Sequence, residues 1–219
     1  MNALPEQVLA SPRLIEFRDQ IVDRLDAEHA ARRRFRDRLL ADDRRAEFIN
    51  GEVVEQVANK DKHTVCLALL ATLVTTYVRL RGLGTVRTEQ ALVTFPRNDY
   101  CPDLCFWTAA RGIGADPDQF VYPPPDFVIE VLSPSTEHRD RGVKFEDYEA
   151  HGVREYWIVD PEARTIEQYV ERAGRYERAF VGAAGTVRSE VVAGFEMPAE
   201  AAFDDAAQMV ALRQILQAG

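Results

Sequence analysis

The stretch Phe127-Val128-Ile129-Glu130-Val131-Leu132-Ser133-Pro134-Ser135-Thr136 decides how this chain is read. Its first six residues are apolar on both faces apart from one carboxylate, the pattern of a central strand covered on both sides. Ser133-Pro134-Ser135-Thr136 is a turn. Glu137 to Ala150 then reads as a helix closed by His151-Gly152, and Glu155-Tyr156-Trp157-Ile158-Val159-Asp160 as a second strand. Strand, helix and strand make a crossover unit joining parallel neighbours. The class is therefore α/β, mixed α+β in detail.

Upstream, the triple proline at 123–125 delivers extended chain into this strand. Thr85 to Thr88, Ala91 to Phe95 and Pro102 to Trp107 read as strands, and 112–125 as loop. A helix starting at an Asp61 N-cap runs to about Arg81, with Val65, Leu69, Leu73, Tyr77 and Leu80 on its buried face. Asn50-Gly51 between short runs is a hairpin turn. Residues 12–40 carry Leu14, Ile15, Phe17, Ile21, Val22 and Leu25 at helical spacing. They read as an extension, residues 1–44, ahead of a domain over 45–219. Downstream, strands are expected around 165–170, 176–181 and 187–192, and a mostly helical tail from Ala199 to Gln217.

The chain has 219 residues, 46% of them apolar and 29% charged, which suits one folded domain and excludes wholesale disorder. No apolar run approaches the ~20 residues of a membrane-spanning helix. The first residues lack the pattern of a secretory signal, and three cysteines make no disulfide framework. The cytoplasm is the expected compartment. A net charge of −9 argues against a basic nucleic-acid coat protein. Of 27 basic residues only Lys60, Lys62 and Lys144 are lysine, so each stands out.

Glu130 carries the most information. An ionised carboxylate inside such a strand must be paired, protonated or bound to metal. An ion pair with Arg139 or Arg141 is one solution and a functional site is the other. Asp103 heads another apolar strand directly after Pro102. Carboxylates from neighbouring strands, with a carbonyl such as that of Val131, can offer oxygens to one hard divalent cation. Lys144, in the helix after the Glu130 strand, can shift its pKa and position a water, which Arg cannot do. Cys101 and Cys105 lack a nearby His and make a poor zinc site; they read as small apolar residues. Ser133 and Ser135 lack a nucleophile-elbow context.

Pro102-Asp103, Glu130 to Ser135, Lys144 and Gly152-Val153-Arg154-Glu155-Tyr156-Trp157-Ile158-Val159-Asp160-Pro161, in that order, resemble the Uma-two family of restriction-endonuclease-like proteins. The Asn50-Gly51-Glu52-Val53 hairpin, His63 and Asn98-Asp99-Tyr100 fit it too, over roughly residues 45–185. The resemblance implies the PD-(D/E)XK nuclease fold, a central mixed sheet flanked by helices. It also implies a site of Asp103, Glu130 and Lys144 holding Mg²⁺ or Mn²⁺, with the Val131 carbonyl as a further ligand, and hydrolysis of DNA phosphodiester bonds. Leu132 departs from the superfamily pattern, which has Lys two residues after the acid, and the family reading moves the amine to Lys144. Glu52 is either a ligand to a second metal or an exposed hairpin acid. His63 is either an accessory group or a structural His, and Lys60 and Lys62 either phosphate contacts or solvated loop residues.

A metal-dependent endonuclease, working as a homodimer through the helical extension, is the leading expectation. The alternative is a catalytically silent member that binds nucleic acid or a partner protein. A two-carboxylate glycosidase would need neither Lys144 nor metal.

Overall fold

The computed structural model describes residues 5–42, 45–56, 60–89, 91–114 and 116–217. The chain falls into two compact units, Met1–Gln56 and Val57–Gly219. In the first, a short helix α1 (Glu6–Leu9) precedes the long helix α2 (Leu14–Asp42) and the hairpin of β1 (Ala46–Ile49) and β2 (Glu52–Glu55). Asn50 and Gly51 both take positive φ, 52° and 94°, as a two-residue turn of this hand requires. Helix α2 packs closely on this turn: a Cβ on Gly51 would lie 2.8 Å from Glu28 Cγ. Arg24 donates to Glu28 at 2.7 Å, and Phe35 meets Phe48 with ring centroids 5.7 Å apart. Leu14, Ile15, Ile21, Val22 and Leu25 are all exposed, although their helical spacing is as expected.

The second unit opens with α3 (Asp61–Arg81) and the strands β3 (Gly84–Thr88), β4 (Leu92–Thr94), β5 (Asp99–Tyr100) and β6 (Leu104–Thr108). β7 (Val121–Tyr122) interrupts the expected loop and pairs in parallel with β4. The crossover then runs β8 (Phe127–Val131), α4 (Glu137–Asp140), α5 (Val143–Ala150) and β9 (Glu155–Asp160). β10 (Thr165–Arg172), β11 (Arg175–Gly182), β12 (Thr186–Arg188), β13 (Glu196–Pro198) and α6 (Asp205–Gln217) complete it. The central sheet has six strands in the order β11-β10-β9-β8-β6-β3. Only its β8–β9 pair is parallel, joined by the expected crossover. The sheet is thus mixed, as the family resemblance implies.

The two faces of this sheet differ. Phe127, Ile129 and Val131 join Leu104, Phe106, Trp157 and Val159 in an aliphatic-rich core with α3 and α6. On the other side Phe145 and Tyr148 of α5 pack against Tyr156, Tyr169 and Tyr176, with ring centroids 4.9–5.1 Å apart for the pairs Phe145–Tyr169, Phe145–Tyr176 and Tyr148–Tyr156. Alternation along β8 sends Glu130 away from the residues of the aliphatic core.

Four local expectations are corrected. The buried face of α3 centres on Cys66, Leu70, Leu73 and Tyr77, so Val65 and Leu80 fall on its shoulders and are exposed. By length and mean hydropathy α3 could also cross a membrane, contrary to the sequence expectation, but its apolar face is packed in the core. The single helix expected over 137–150 is broken at Arg141-Gly142. There a Cβ on residue 142 would stand 2.6 Å from the His138 carbonyl oxygen, so only glycine allows the approach. The strand expected over 187–192 stops at Arg188. Beyond it the N–H groups of Glu190 and Val191 donate to the Glu155 carboxylate instead of to a neighbouring strand, at 3.0 and 2.9 Å.

Candidate active site

The antiparallel register of β6 on β8 pairs Leu104 with Ile129, so Asp103, one residue earlier, arrives opposite Glu130. Each acid accepts from backbone on the other's side of the pair. The Val131 N–H donates to Asp103 Oδ2 at 2.7 Å, and the Asp103 N–H to Glu130 Oε2 at 3.4 Å. This mutual bracing follows from two carboxylates facing each other at a strand end.

Lys144, in the first turn of α5, sends its ammonium 3.0 Å from Glu130 Oε1. Tyr148, one helical turn later, donates its phenol O–H to the same oxygen at 2.8 Å. The i, i+4 spacing of Lys144 and Tyr148 lets both reach one carboxylate. Arg139 and Arg141, the alternative partners for Glu130, are not used: Arg141 pairs with Glu137 and Glu167. Lys144 has a second carboxylate that the sequence reading did not single out. Asp140 Oδ1 stands 3.1 Å from its Nζ, and the Tyr100 ring centroid lies 5.8 Å away. Glu130, Asp140 and Lys144 are only 3%, 1% and 3% exposed, whereas the Asp103 side chain is 14% exposed and gives solvent access to the group.

His63, in the first turn of α3, is buried with its Nε2 3.3 Å from Asp103 Oδ1, within ion-pair reach but without a hydrogen bond to either ring nitrogen. Burial pulls its pKa down, but the Asp103 carboxylate, Glu89 and the Val131 carbonyl more than offset this, so the imidazole titrates above its ordinary range. Negative charge also reaches the neighbours. The Cys105 thiol and the Tyr156 phenol are both pushed well up, by burial first and then by nearby groups that include Glu130, with Lys144 opposing.

The structure thus brings Asp103, Glu130, Val131, Lys144 and His63 together. Glu52 belongs to the first unit, exposed on β2. Lys62 pairs with Glu162, and Lys60 precedes the first turn of α3. Cys101 and Cys105 are buried and outside any disulfide, as expected of small apolar residues. Among the described residues, no three His, Cys, Asp or Glu side chains converge as a complete metal cage. Asp140 was legible only as an acid four residues before Lys144, a spacing that is usually a surface pair. Tyr148 is a core aromatic whose hydroxyl also serves Glu130.

Beyond this chain, the family model for Uma2, described as "Putative restriction endonuclease", matches residues 33–200. The crystal structure of "a putative nuclease belonging to DUF820" from Anabaena variabilis is similar, with a TM-score of 0.62. At 18% identity it covers 72% of this chain and 89% of that one, a likeness of fold. No curated protein matches the sequence. The match spans residues 33–200, well over half of the chain, which means that the chain belongs to the Uma2 family of restriction-endonuclease-like proteins.

Proposed function

We propose that this protein is a Mg²⁺- or Mn²⁺-dependent endonuclease that hydrolyses DNA phosphodiester bonds at the Asp103–Glu130–Lys144 site. The observation that carries the reading is the pair of facing, mutually braced carboxylates with a buried ammonium on one of them. Asp103, Glu130 and the Val131 carbonyl form a hard oxygen donor set, which suits Mg²⁺ or Mn²⁺ and not a thiolate-seeking metal. Water and phosphate oxygens would complete the coordination, as Mg²⁺ prefers. Such an ion, when bound, supplies a Lewis acid that polarises a phosphoryl oxygen and lowers the pKa of its water.

The remaining work falls to the chain. The strand N–H groups hold the two carboxylates at fixed separation, so little reorganisation is needed on binding. Lys144 stabilises negative charge developing on the phosphate and orients the attacking water. Tyr148 fixes the Glu130 oxygen that Lys144 shares. His63, whose Nε2 stands 3.3 Å from Asp103 Oδ1, supports an accessory contact to a phosphate oxygen. Cutting both strands of a duplex suits a two-fold dimer, and the exposed Leu14, Ile15, Ile21, Val22 and Leu25 of α2 offer a surface for a second copy. The net charge of −9 favours the other reading, a silent nuclease-fold protein that binds a partner protein.

Calorimetric titration with Mg²⁺ and Mn²⁺, run beside plasmid cleavage on wild type and Asp103→Ala, tests this. Binding and cleavage lost together in the variant support the endonuclease. Binding without cleavage by the wild type moves the assignment to the silent reading, and no binding at all removes the metal mechanism.

A further inference from the structure

The mechanism above does not use Asp140, yet this carboxylate is among the most deeply buried charges in the chain, 1% exposed. Its Oδ1 makes no hydrogen bond and has the Lys144 ammonium as its partner at 3.1 Å. Its position is built, not incidental. The α4–α5 break at Gly142 relies on glycine, because a Cβ there would stand 2.6 Å from the His138 carbonyl oxygen. The Tyr156 hydroxyl, from the central sheet, donates to the Asp140 carbonyl at 3.0 Å and pins the end of α4.

The electrostatics explain why a second carboxylate is useful. In the structure Lys144 is shared between Glu130 and Asp140. A divalent cation on Glu130 would withdraw that acid's charge from Lys144 and add like-charge repulsion in a poorly screened interior. The share of the ammonium's hold that comes from Glu130 would then weaken, while the share that comes from Asp140, an anion outside the metal site, would remain.

We propose that Asp140 is a positioning residue, which keeps the Lys144 ammonium at Glu130 while a divalent cation occupies the Asp103–Glu130 site. This rests on the metal-dependent reading of the same site.

The chain has only three lysines, Lys60, Lys62 and Lys144, which makes a direct test practical. With lysine labelled with ¹⁵N at Nζ, the buried Lys144 ammonium is expected to give a slowly exchanging cross-peak, while Lys60 and Lys62 exchange too fast. In the wild type the peak persists at saturating Mg²⁺. In Asp140→Asn, nearly the same shape without the charge, it is expected to be lost on Mg²⁺ addition. Asp140→Ser serves as a second variant should the Asn form fail to fold. In cleavage assays Asp140→Asn should lower kcat by about 10²-fold with KM and Mg²⁺ affinity unchanged, and Asp140→Glu should restore part of the loss. A peak that survives Mg²⁺ in folded Asp140→Asn overturns the proposal and leaves the nuclease reading standing. Absence of Mg²⁺ binding by the wild type, seen by calorimetry, overturns both.

Discussion

Glu130 and Glu155 sit on the neighbouring parallel strands β8 and β9, and both are buried, 3% and 0% exposed. Their surroundings have opposite characters. Glu155 accepts from five uncharged donors: Trp157 Nε1, Gln168 Nε2, Ser189 Oγ and the Glu190 and Val191 N–H groups. That set comes from three separate segments and ties the 189–192 turn to the sheet. Glu130 is held by an ammonium and a phenol and faces another carboxylate. Burial raises the Glu155 pKa in spite of its hydrogen bonds. A carboxylate ringed by neutral donors is a structural clamp, while one paired with a lysine beside a second acid is built to meet charge. The contrast separates scaffold from site within one sheet.

Exchanging the two residues' fates is the sharpest way to break that contrast. Glu130→Gln should lower Mg²⁺-dependent cleavage by about 10³-fold and leave a folded protein, checked by cleavage kinetics beside circular dichroism. Glu155→Ala should do the reverse. Five donors lose their acceptor, at a cost of about 3 kcal/mol or more. The melting temperature should fall by roughly 6–12 °C, with activity of the folded fraction retained; calorimetric melting measures it. A Glu155 variant that melts normally would end the clamp assignment.

The pH dependence sharpens the same point. Because the folded pKa of Glu155 lies above its unfolded value, its stabilising contribution is fully present below the ordinary carboxylate range. It is lost as pH rises through the raised folded pKa. The stability gap between wild type and Glu155→Gln should therefore be widest at low pH and shrink on raising it, as urea titrations across pH would show. The smallest effect on stability is expected on α2. Ile15→Ser and Ile21→Ser are exposed changes worth within about 0.5 kcal/mol, yet they should weaken self-association measured by sedimentation velocity. Unchanged sedimentation, or a wild type that is monomeric at all concentrations, would remove α2 as a dimer surface.

Much of the site was readable in the sequence because strand patterns are local. An acid inside Phe-Val-Ile-Glu-Val-Leu, and another heading a strand after Pro102, stand out by their misfit with their neighbours. Lys144 stood out by composition. What escaped depends on packing between segments. Asp140 looks like a solvated helix acid until the Gly142 break and Tyr156 turn it inward. The apolar spacing on α2 reads as a helix, but does not tell that Leu14, Ile15, Ile21, Val22 and Leu25 stay exposed. The strand expected over 187–192 ends early because its N–H groups serve Glu155, more than thirty residues away in sequence.

The sequence by itself determined the crossover and the acids that misfit their strands, since two-residue and 3.6-residue periods depend only on near neighbours. The tertiary structure alone decided which charges share Lys144, which carboxylate is saturated by neutral donors and which apolar face stays in water. Those outcomes depend on hydrogen-bond partners and desolvation supplied by segments distant along the chain, and no local pattern encodes them.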